Sequence, residues 1–405
     1  MPSARIVEHG SGSQPPFPSG REEKRRALLA AVEQVRDVVA RNADEAEDRG
    51  TLPPDTVAAL ADAGLFKLKL PAVLGGAEAD PVTHTEVIEA LSSIDSSAGW
   101  CTMVGTSSIG LMGAFLGDEA IEQIFRDGRV PLAAAVTMPA GRAVAVDGGH
   151  QVAGRWPFAS GIRHSQWLAG GALVASGDER PPSYRMFAFP TAAAEIADNW
   201  HVAGLQGTGS SDFTLGERFV SEPFSWDLLS GLPMRGGPLY NIRAPGFMAN
   251  EHAGFALGVA RRALDAIVEV AGTKRRGPLE APSSLANRPV FQRAVGECDL
   301  RLRAARALVV EVNEKGWTEV SEGRPVEPLL LAEMRGVAAF ATAVAVDVTT
   351  QAFRYSGGAA LYRTNVLQRC LRDINAAAQH IAVSDSAYEN LGQFALGLPG
   401  ASPRG

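Results

Sequence analysis

The hydrophobic periodicity of the chain changes twice, and this change constrains the fold more than any other feature. From about residue 22 to 125, apolar residues such as Leu28 and Val32 recur at three- and four-residue steps, as one face of an amphipathic helix requires. From about residue 130 to 226, short β-favouring runs alternate with turn residues, and from about 241 to 396 the helical pattern returns. This order predicts an α+β protein with a strand-rich region between two helical regions.

Local signals place individual elements within these regions. Pro53-Pro54 opens a helix that is predicted to end near Gly64, and Asp80-Pro81 opens another that runs to about Leu91. Small residues crowd the segment from Ala253 to Ala260, which predicts a deeply packed helix. The predicted strands are Ala143–Val146, Gln151–Val152, Trp167–Ala175, Tyr184–Phe189 and Phe213–Val220.

These signals divide the chain into five parts. The predicted parts are a flexible tail (1–20), an N-terminal helical domain (21–127), a middle antiparallel β-barrel domain (128–235), a C-terminal helical bundle (236–398) and a second tail (399–405). The long apolar stretches 297–310 and 329–353 exceed what one monomeric bundle easily covers, which predicts a homotetramer or homodimer.

Composition narrows the class of protein. The net charge of −7 argues against a nucleic-acid partner, because phosphate binding needs a concentrated basic surface. The first 20 residues lack the apolar stretch of a signal peptide, and no uninterrupted apolar run reaches the roughly 18 residues that a membrane helix needs. The three cysteines, Cys101, Cys298 and Cys370, are widely spaced and form no CxxC pair, so no metal site is predicted and a cytoplasmic location is expected.

Several common catalytic motifs are absent, and three loops of the strand-rich region remain as candidates. The chain has no GxGxxG after a strand, no GxxxxGK, no HExxH and no GxSxG. The three loops are 134–139 (AAVTMP), 154–161 (GRWPFASG) and 200–212 (WHVAGLQGTGSSD). Each combines backbone amides and hydroxyls, and the last two add a large aromatic residue, so such loops can bind the edge and face of a planar heteroaromatic ring.

The order of regions and loops resembles the acyl-CoA dehydrogenase superfamily, over roughly residues 25 to 395. An early pattern adds to the resemblance: Leu65-Phe66, Pro71, Gly75-Gly76, Asp95-Ser96 and Trp100. The resemblance implies a helical domain, a β-barrel and a helical bundle around a flavin. It also implies that the loop Gly207 to Ser210 lies beside the active site.

The C-terminal active-site segment departs from the dehydrogenases of this family. A dehydrogenase carries its catalytic glutamate soon after an Arg-Asp pair, but Arg372-Asp373 is followed by His380 and by no carboxylate before Asp385. The segment is similar to the two-component flavin-dependent monooxygenases of the superfamily. In those enzymes reduced FMN or FAD from a separate reductase reacts with O2 to give a C4a-hydroperoxide, which oxygenates an apolar, cyclic or aromatic substrate.

The resemblance implies roles for particular residues. Ser160 is implied as a hydrogen-bond donor near flavin N5, and His380 as the base or hydrogen-bond partner on the substrate side, with Trp100 and Ala377 lining the substrate pocket. The flavin ring is implied to contact Val136, Thr137, Phe158, Ala159 and Ser160. The flavin phosphates are implied to contact Lys274 and Arg275, and the cofactor tail of a neighbouring subunit is implied to contact Gly357 and Gly358.

Two alternatives remain at this point. A few dehydrogenases carry their base on another helix, and Glu251 lies about one turn from that position, so an acyl-CoA dehydrogenase-type oxidoreductase is the alternative enzyme. A scaffold that has lost flavin is the alternative without activity. The stretch Thr102–Leu111 lacks a histidine that several aromatic hydroxylases carry, which favours an amine, a thioether or a larger tailoring intermediate over a simple phenol.

Overall fold

The computed structural model describes residues 16–175, 182–244, 246–276 and 283–404. Predictions for residues 1–15 of the first tail lie outside the described residues. The chain begins with six helices before the sheet: α1 (Arg21–Arg41), α2 (Ala43–Arg49), α3 (Pro54–Asp62), α4 (Pro81–Ser92), α5 (Ser96–Phe115) and α6 (Asp118–Ile124). The predicted prolines do begin α3 and α4, where the missing amide hydrogen of proline costs nothing.

A seven-stranded sheet follows these helices. Its strands are β1 (Ala133–Val146), β2 (Gly149–Trp156), β3 (Trp167–Ala175), β4 (Ser183–Pro190), β5 (Glu195–Ile196), β6 (Phe213–Ser221) and β7 (Ser225–Trp226), in the spatial order β5-β6-β2-β1-β3-β4-β7. The order has two edges, so the sheet is open. The expectation of an all-antiparallel barrel was wrong in one respect, because β1 and β3 pair in parallel while the other pairs are antiparallel.

The parallel pairing of β1 with β3 results from the path of the chain between β2 and β3. β2 forms a hairpin with β1 through the turn at Asp147-Gly148, and the segment after β2 returns to the far side of β1 before β3 begins. The β1–β3 register shifts between Val136 and Gly141, so residues 137–140 are out of the ladder between these two strands. Residues 157–166, which form this return, include one of the three loops that the sequence marked.

The C-terminal part is helical, apart from a short two-stranded ribbon of β8 (Arg275–Arg276) and β9 (Ser283–Ser284). Its helices are α7 (Gly246–Ala271), α8 (Pro289–Ser321), α9 (Pro328–Ser356), α10 (Val366–Ala377) and α11 (Ser386–Ala395). The predicted domain limit at residue 127 falls in the connection between α6 and β1, and the limit at residue 235 falls in the connection between β7 and α7. The division into domains stays a prediction.

Helix α7 is the packed helix that the small residues predicted. A Cβ at Gly254 would lie 2.5 Å from the Thr85 backbone oxygen, and one at Gly258 would lie 2.3 Å from the Glu89 backbone oxygen. Real Cβ atoms do not approach backbone oxygens so closely, so only glycine allows α7 to lie against α4. This contact sets the position of α7, and the candidate active site is built on one face of this helix.

Helix α9 and the turn after it contain an apolar segment, Pro328–Leu361, that is long enough to cross a membrane by length and composition alone. Of its most apolar window, 61% is buried inside the protein. Packing against α7, α8 and α10 accounts for this apolar character, as it does in the central helix of a bundle.

The close approach of α7 and α4 can be tested with two alanine substitutions. Gly258→Ala forces a methyl group onto a backbone oxygen and should lower the free energy of unfolding by about 1–3 kcal/mol. Gly296→Ala in α8 is the matched control, because nothing lies within 4 Å of the added Cβ. This control should stabilise the protein slightly, by about 0.5–1 kcal/mol. Urea unfolding measures both, and equal effects would contradict the packing argument.

Candidate active site

Trp100 lies at the centre of the candidate site, in the second turn of α5. Asp95 caps this helix, accepting a hydrogen bond from the Ala98 backbone N–H at 2.8 Å, which fixes the start of the helix. The Trp100 side chain is buried, with 6% of its surface exposed. Its ring makes edge-to-face contacts with Phe255, His252 and His380 at centroid distances of 5.0, 5.7 and 5.9 Å.

The polar edge of Trp100 reaches the sheet region. Its Nε1–H donates a hydrogen bond to Ser160 Oγ at 2.9 Å. The loop that carries Ser160 has a strained backbone, because Phe158 has a φ of 65°. The Phe158 side chain is exposed. Strain of this kind persists where surrounding contacts enforce it. Here the backbone N–H groups of Ala159 and Gly161 donate to the carbonyls of Ser211 and Thr208, which joins two of the three marked loops.

A chain of hydroxyl groups continues from Ser160. The Ser160 and Ser210 hydroxyls lie 2.7 Å apart, and the Ser210 and Thr208 hydroxyls also lie 2.7 Å apart. The Thr208 hydroxyl donates to the Leu205 carbonyl at 2.8 Å. A carbonyl only accepts, so the Thr208 proton is committed; Ser210 must then donate to Thr208, and Ser160 must donate to Ser210.

The direction of this chain changes the expected role of Ser160. The sequence interpretation made Ser160 a hydrogen-bond donor near flavin N5. It follows from the bond between Thr208 and the Leu205 carbonyl that the single Ser160 proton is donated to Ser210, and one Ser160 lone pair accepts from Trp100. The lone pair that remains is an acceptor, so Ser160 offers a ligand an acceptor and not a donor.

Asp373 holds the third loop against the helical bundle. It is fully buried on α10, and its carboxylate accepts hydrogen bonds from the Leu205 backbone N–H at 2.6 Å and from the Ser96 hydroxyl. A Cβ at Gly204 would lie 2.1 Å from the Arg372 carbonyl oxygen, so this loop passes directly against the middle of α10. Asp373 is therefore a structural residue that fixes the loop from Leu205 to Ser210.

His380 lies on the other side of Trp100, and it is not on a helix as expected. Helix α10 ends at Ala377, and His380 caps a short 3₁₀ turn, where its Nδ1 accepts the Ala382 backbone N–H at 3.2 Å. Part of the residue His380 reaches solvent, whereas its ring packs against Trp100 and His252. Ala377, the predicted pocket residue, is buried one turn before it, and its carbonyl accepts the His380 backbone N–H.

His252 on α7 forms a pair with His380. The two imidazole rings lie with their centroids 4.4 Å apart at an interplanar angle of 33°. His252 is buried, with 5% of its surface exposed, and its Nδ1 lies 3.1 Å from the Met248 carbonyl. Burial lowers the pKa of His252 to about 4, and burial together with the neighbouring His252 ring lowers the pKa of His380 to about 3.

Glu251, the alternative catalytic base, is engaged in a buried ion pair. Its Oε2 lies 2.8 Å from Lys69 Nζ and accepts the Ser107 hydroxyl at 2.6 Å. The Lys69 ammonium also donates to the Phe247 carbonyl at 2.6 Å, and it lies 4.3 Å from the centre of the Phe247 ring. Burial raises the pKa of Glu251 and lowers that of Lys69, because each charge has lost water. These partners hold Glu251 within the protein and leave it a structural group.

The ion pair makes a testable contribution to stability. Lys69→Met leaves the Glu251 carboxylate buried without its cation and should lower the free energy of unfolding by about 3–5 kcal/mol. The double variant Lys69→Met/Glu251→Leu removes both charges and should recover most of that loss. Lys315→Met, at a fully exposed ion pair with Glu311, should leave the urea midpoint unchanged. A double variant no more stable than Lys69→Met would contradict this account.

The sequence analysis missed His252, Phe255, Ser210 and Lys69 as individual site residues. His252 and Phe255 are three residues apart on α7, so both face Trp100. One sequence signal could have identified these two residues: His252 follows Glu251 and precedes the aromatic Phe255 by three residues, which is helical spacing. No sequence signal singled out Lys69, which comes from a turn before α4 and meets α7 only in the folded protein.

The other predicted flavin residues occupy separate places. Val136 is buried in β1 and Thr137 follows it in the segment that leaves the β1–β3 ladder, where the Thr137 carbonyl accepts the Tyr184 hydroxyl. Lys274 and the exposed Arg275 follow α7 at the ribbon. Gly357, with a φ of 61°, and Gly358 end α9. Among the described residues, no hydrogen bond joins Lys274, Gly357 or Gly358 to the Trp100 cluster.

The fold is helix–sheet–helix, and Trp100 joins Ser160 of the sheet region to the His252–His380 pair of the C-terminal region. The family description "Acyl-CoA dehydrogenase, N-terminal domain" matches residues 21–125, and "Acyl-CoA dehydrogenase, C-terminal domain" matches residues 251–385. The indole-3-acetate monooxygenase of Pseudomonas putida is 30% identical over 377 residues, which cover 92% of this chain and 95% of that protein.

Two further relatives agree with this assignment. The flavin-dependent monooxygenase oxygenase subunit HsaA of Mycobacterium tuberculosis is 29% identical, covering 92% of this chain and 96% of that protein. The structure of XiaF from Streptomyces sp., in complex with FADH2 and glycerol, superposes with a TM-score of 0.87 at 26% identity, covering 95% of this chain and 98% of XiaF. The chain therefore belongs to the acyl-CoA dehydrogenase superfamily, in its branch of flavin-dependent monooxygenases, and the resemblance seen in the sequence is confirmed.

The residues present fit a flavin ring on observations of this structure. The free lone pair of Ser160 and the part of β1 outside the ladder offer polar groups to a ring edge. The exposed Phe158 side chain, in a strained loop, and the Trp100 cluster would supply apolar surface to the ring.

Proposed function

We propose that this chain is the oxygenase component of a two-component monooxygenase. It takes reduced FMN or FAD from a separate flavin reductase and uses O2 to hydroxylate, or to N- or S-oxidise, an apolar cyclic or aromatic substrate. The observation that carries the proposal is the Trp100 junction, where one indole donates to Ser160 and packs against His380. The proposal gives Ser160 the role of an acceptor that faces the flavin and His380 the role of an imidazole that faces the substrate, and both contact the same indole ring.

The protein residues have distinct roles in this proposal. Reduced flavin, when bound, supplies the electrons that activate O2. Ser160 accepts a hydrogen bond from N5–H of the reduced ring, and Val136, Thr137, Phe158 and Ala159 hold the ring edge. Trp100 and Phe255 exclude water from the reacting region, which protects a reactive oxygen species from hydrolysis. His380 and Ala377 face the substrate, and the small Ala377 side chain leaves room for its ring.

The dehydrogenase alternative lacks a free base. Proton removal next to a thioester needs a carboxylate within hydrogen-bond reach of the substrate carbon. The position after Arg372-Asp373 carries His380, whose pKa is lowered by burial. The only other candidate was Glu251, whose charge is directed to Lys69 and Ser107. Oxygenation needs no such base, so it fits the described residues better.

The remaining partner assignments belong to the same proposal. Lys274 and Arg275 bind the flavin phosphate, and Gly357 and Gly358 approach the cofactor tail of a neighbouring subunit. A homotetramer or homodimer is supported by large apolar side chains exposed on the C-terminal helices, such as Leu300 and Phe340. The protein works in the cytoplasm, where its reductase keeps flavin reduced.

Reoxidation of reduced flavin tests the proposed function directly. Reduced FMN, and separately reduced FAD, is mixed with excess protein under anaerobic conditions and then with O2, and the return of oxidised-flavin absorbance is followed by stopped flow. The protein should delay that return relative to free flavin, because a dry pocket slows the loss of the bound oxygen. Flavin that reoxidises as fast as in buffer would refute the proposal. Indole-3-acetate is the first substrate to add, with product and hydrogen peroxide both measured.

The role of Ser160 predicts a preference for one redox state of the flavin. Ser160→Ala removes the acceptor for N5–H and should weaken binding of reduced FMN by about three- to tenfold, the value of one hydrogen bond. Binding of oxidised FMN should change less, because its N5 carries no proton. Anaerobic fluorescence titration measures the first constant and aerobic titration the second. Ser93→Ala, which removes only a bond to the Ala90 carbonyl, is the control.

A further inference from the structure

We propose that His380 is a neutral hydrogen-bond donor to the substrate through its Nε2–H, and not a base, and that His252 is the positioning residue that keeps it so. This inference rests on the proposed function, because it assigns the substrate-side chemistry of the same site. It names a substrate class as well: a molecule that carries a hydrogen-bond-accepting oxygen near the position that is oxygenated.

The tautomer of His380 follows from its cap. Nδ1 accepts the Ala382 backbone N–H at 3.2 Å, so Nδ1 carries a lone pair and no proton. In a neutral imidazole the single proton is then on Nε2. A base at Nε2 would need its lone pair there, and a cationic ring would lose the bond to Ala382. The short turn Ile381–Val383 thus selects the donor form of His380.

The tautomer of His252 is the opposite. Its Nδ1 lies 3.1 Å from the Met248 carbonyl, which can only accept, so the proton is on Nδ1. Its Nε2 is a buried acceptor with no hydrogen-bond partner among the described residues. An unpaired buried acceptor is costly and requires an explanation. The His380 ring lies 4.4 Å away between centroids, and no hydrogen bond joins the two rings among the described residues, so the Nε2–H of His380 stays available to a substrate.

The surroundings of the pair oppose protonation. The His252 and His380 rings lie 4.4 Å apart between centroids, so charging both imidazoles at once would be unfavourable because like charges repel. The groups that face His380 are Glu251 and His252 of α7, Trp100 of α5 and Arg335 of α9, which binds the Ile381 and Ala382 carbonyls. Glu251 raises the pKa of His380, but Lys69 already neutralises this carboxylate. Burial is the largest influence, and it lowers the pKa of His380.

A donor at this place selects substrates by their oxygen atoms. A phenolate, carbonyl or carboxylate oxygen accepts from Nε2–H, and this bond orients the ring for oxygen transfer. A substrate that must lose a proton to His380 is disfavoured, because Nε2 has no lone pair. The missing histidine between Thr102 and Leu111 agrees with a site that orients its substrate without deprotonating it.

Nuclear magnetic resonance of the imidazole rings tests the two tautomers without any flavin or substrate. The chain has seven histidines, so a sample with ¹³C at the ring Cδ2 gives a simple spectrum. The signals of the pair are assigned by their loss in His380→Asn and His252→Asn. The expected result is the Nε2–H form for His380 and the Nδ1–H form for His252, both neutral between about pH 5.5 and 8. A His380 in the Nδ1–H form, or one that gains a proton in this range, overturns the proposal.

The positioning role of His252 has its own measurement. His252→Phe keeps an aromatic ring against His380 but removes the second titratable group. The His380 protonation curve, followed from pH 8 down to the limit of the folded state, should move to higher pH in this variant. A His252 that only fills space would leave the curve where it is, and that result would remove His252 from the proposal.

Matched variants test the donor role in turnover. His380→Gln carries an N–H near the place of Nε2, whereas His380→Asn keeps an acceptor near Ala382 and loses the distant donor. His380→Gln should retain product formation from indole-3-acetate about tenfold better than His380→Asn. Equal loss in both variants overturns the donor role. If indole-3-acetate gives no product with the native protein, the choice of substrate fails, while the ring spectra still decide the tautomers.

Discussion

The hydrogen bond from the Trp100 indole to Ser160 is the interaction on which the site depends. Trp100 belongs to the N-terminal helical region, Ser160 to the sheet region, and the histidines that touch the indole ring belong to the C-terminal helices. One side chain thus fixes the relative position of groups from three parts of the chain. A rigid aromatic ring does this at low entropic cost, because only two torsions are ordered.

A buried ion pair also helps to hold the groups around Trp100 in position. The Lys69–Glu251 pair is buried below the histidines, and each of its charges is satisfied by further partners. A buried ion pair adds little net stability, but removal of one partner is costly. The pair therefore acts as a constraint on α7, in addition to the glycine contacts with α4. It fixes the rotation of α7 about its axis, and that rotation aims His252 and Phe255 at Trp100.

Patterns of residues predicted the fold well, because periodicity, prolines and turns act locally. The helix starts at Pro54 and Pro81 and the marked strands follow from such local signals. The parallel pairing of β1 with β3 did not follow from local signals, because it depends on the path of the loop between β2 and β3. The end of α10 before His380 was missed because the alanines there favour a helix, and the competing local cap, in which His380 accepts the Ala382 N–H, has only a weak sequence signal.

The direction of the Ser160–Ser210–Thr208 chain has a consequence for the redox cycle. Reversing the chain, so that Ser160 donates to an oxidised flavin ring, would require Thr208 to abandon the Leu205 carbonyl. Losing one such bond costs about 1 kcal/mol, or about fivefold in affinity. Under the proposed function, the hydroxyl chain therefore favours the reduced ring over the oxidised ring by about this factor. An oxygenase that receives its flavin from a separate reductase must release the oxidised ring after each turnover, and this preference acts in that direction.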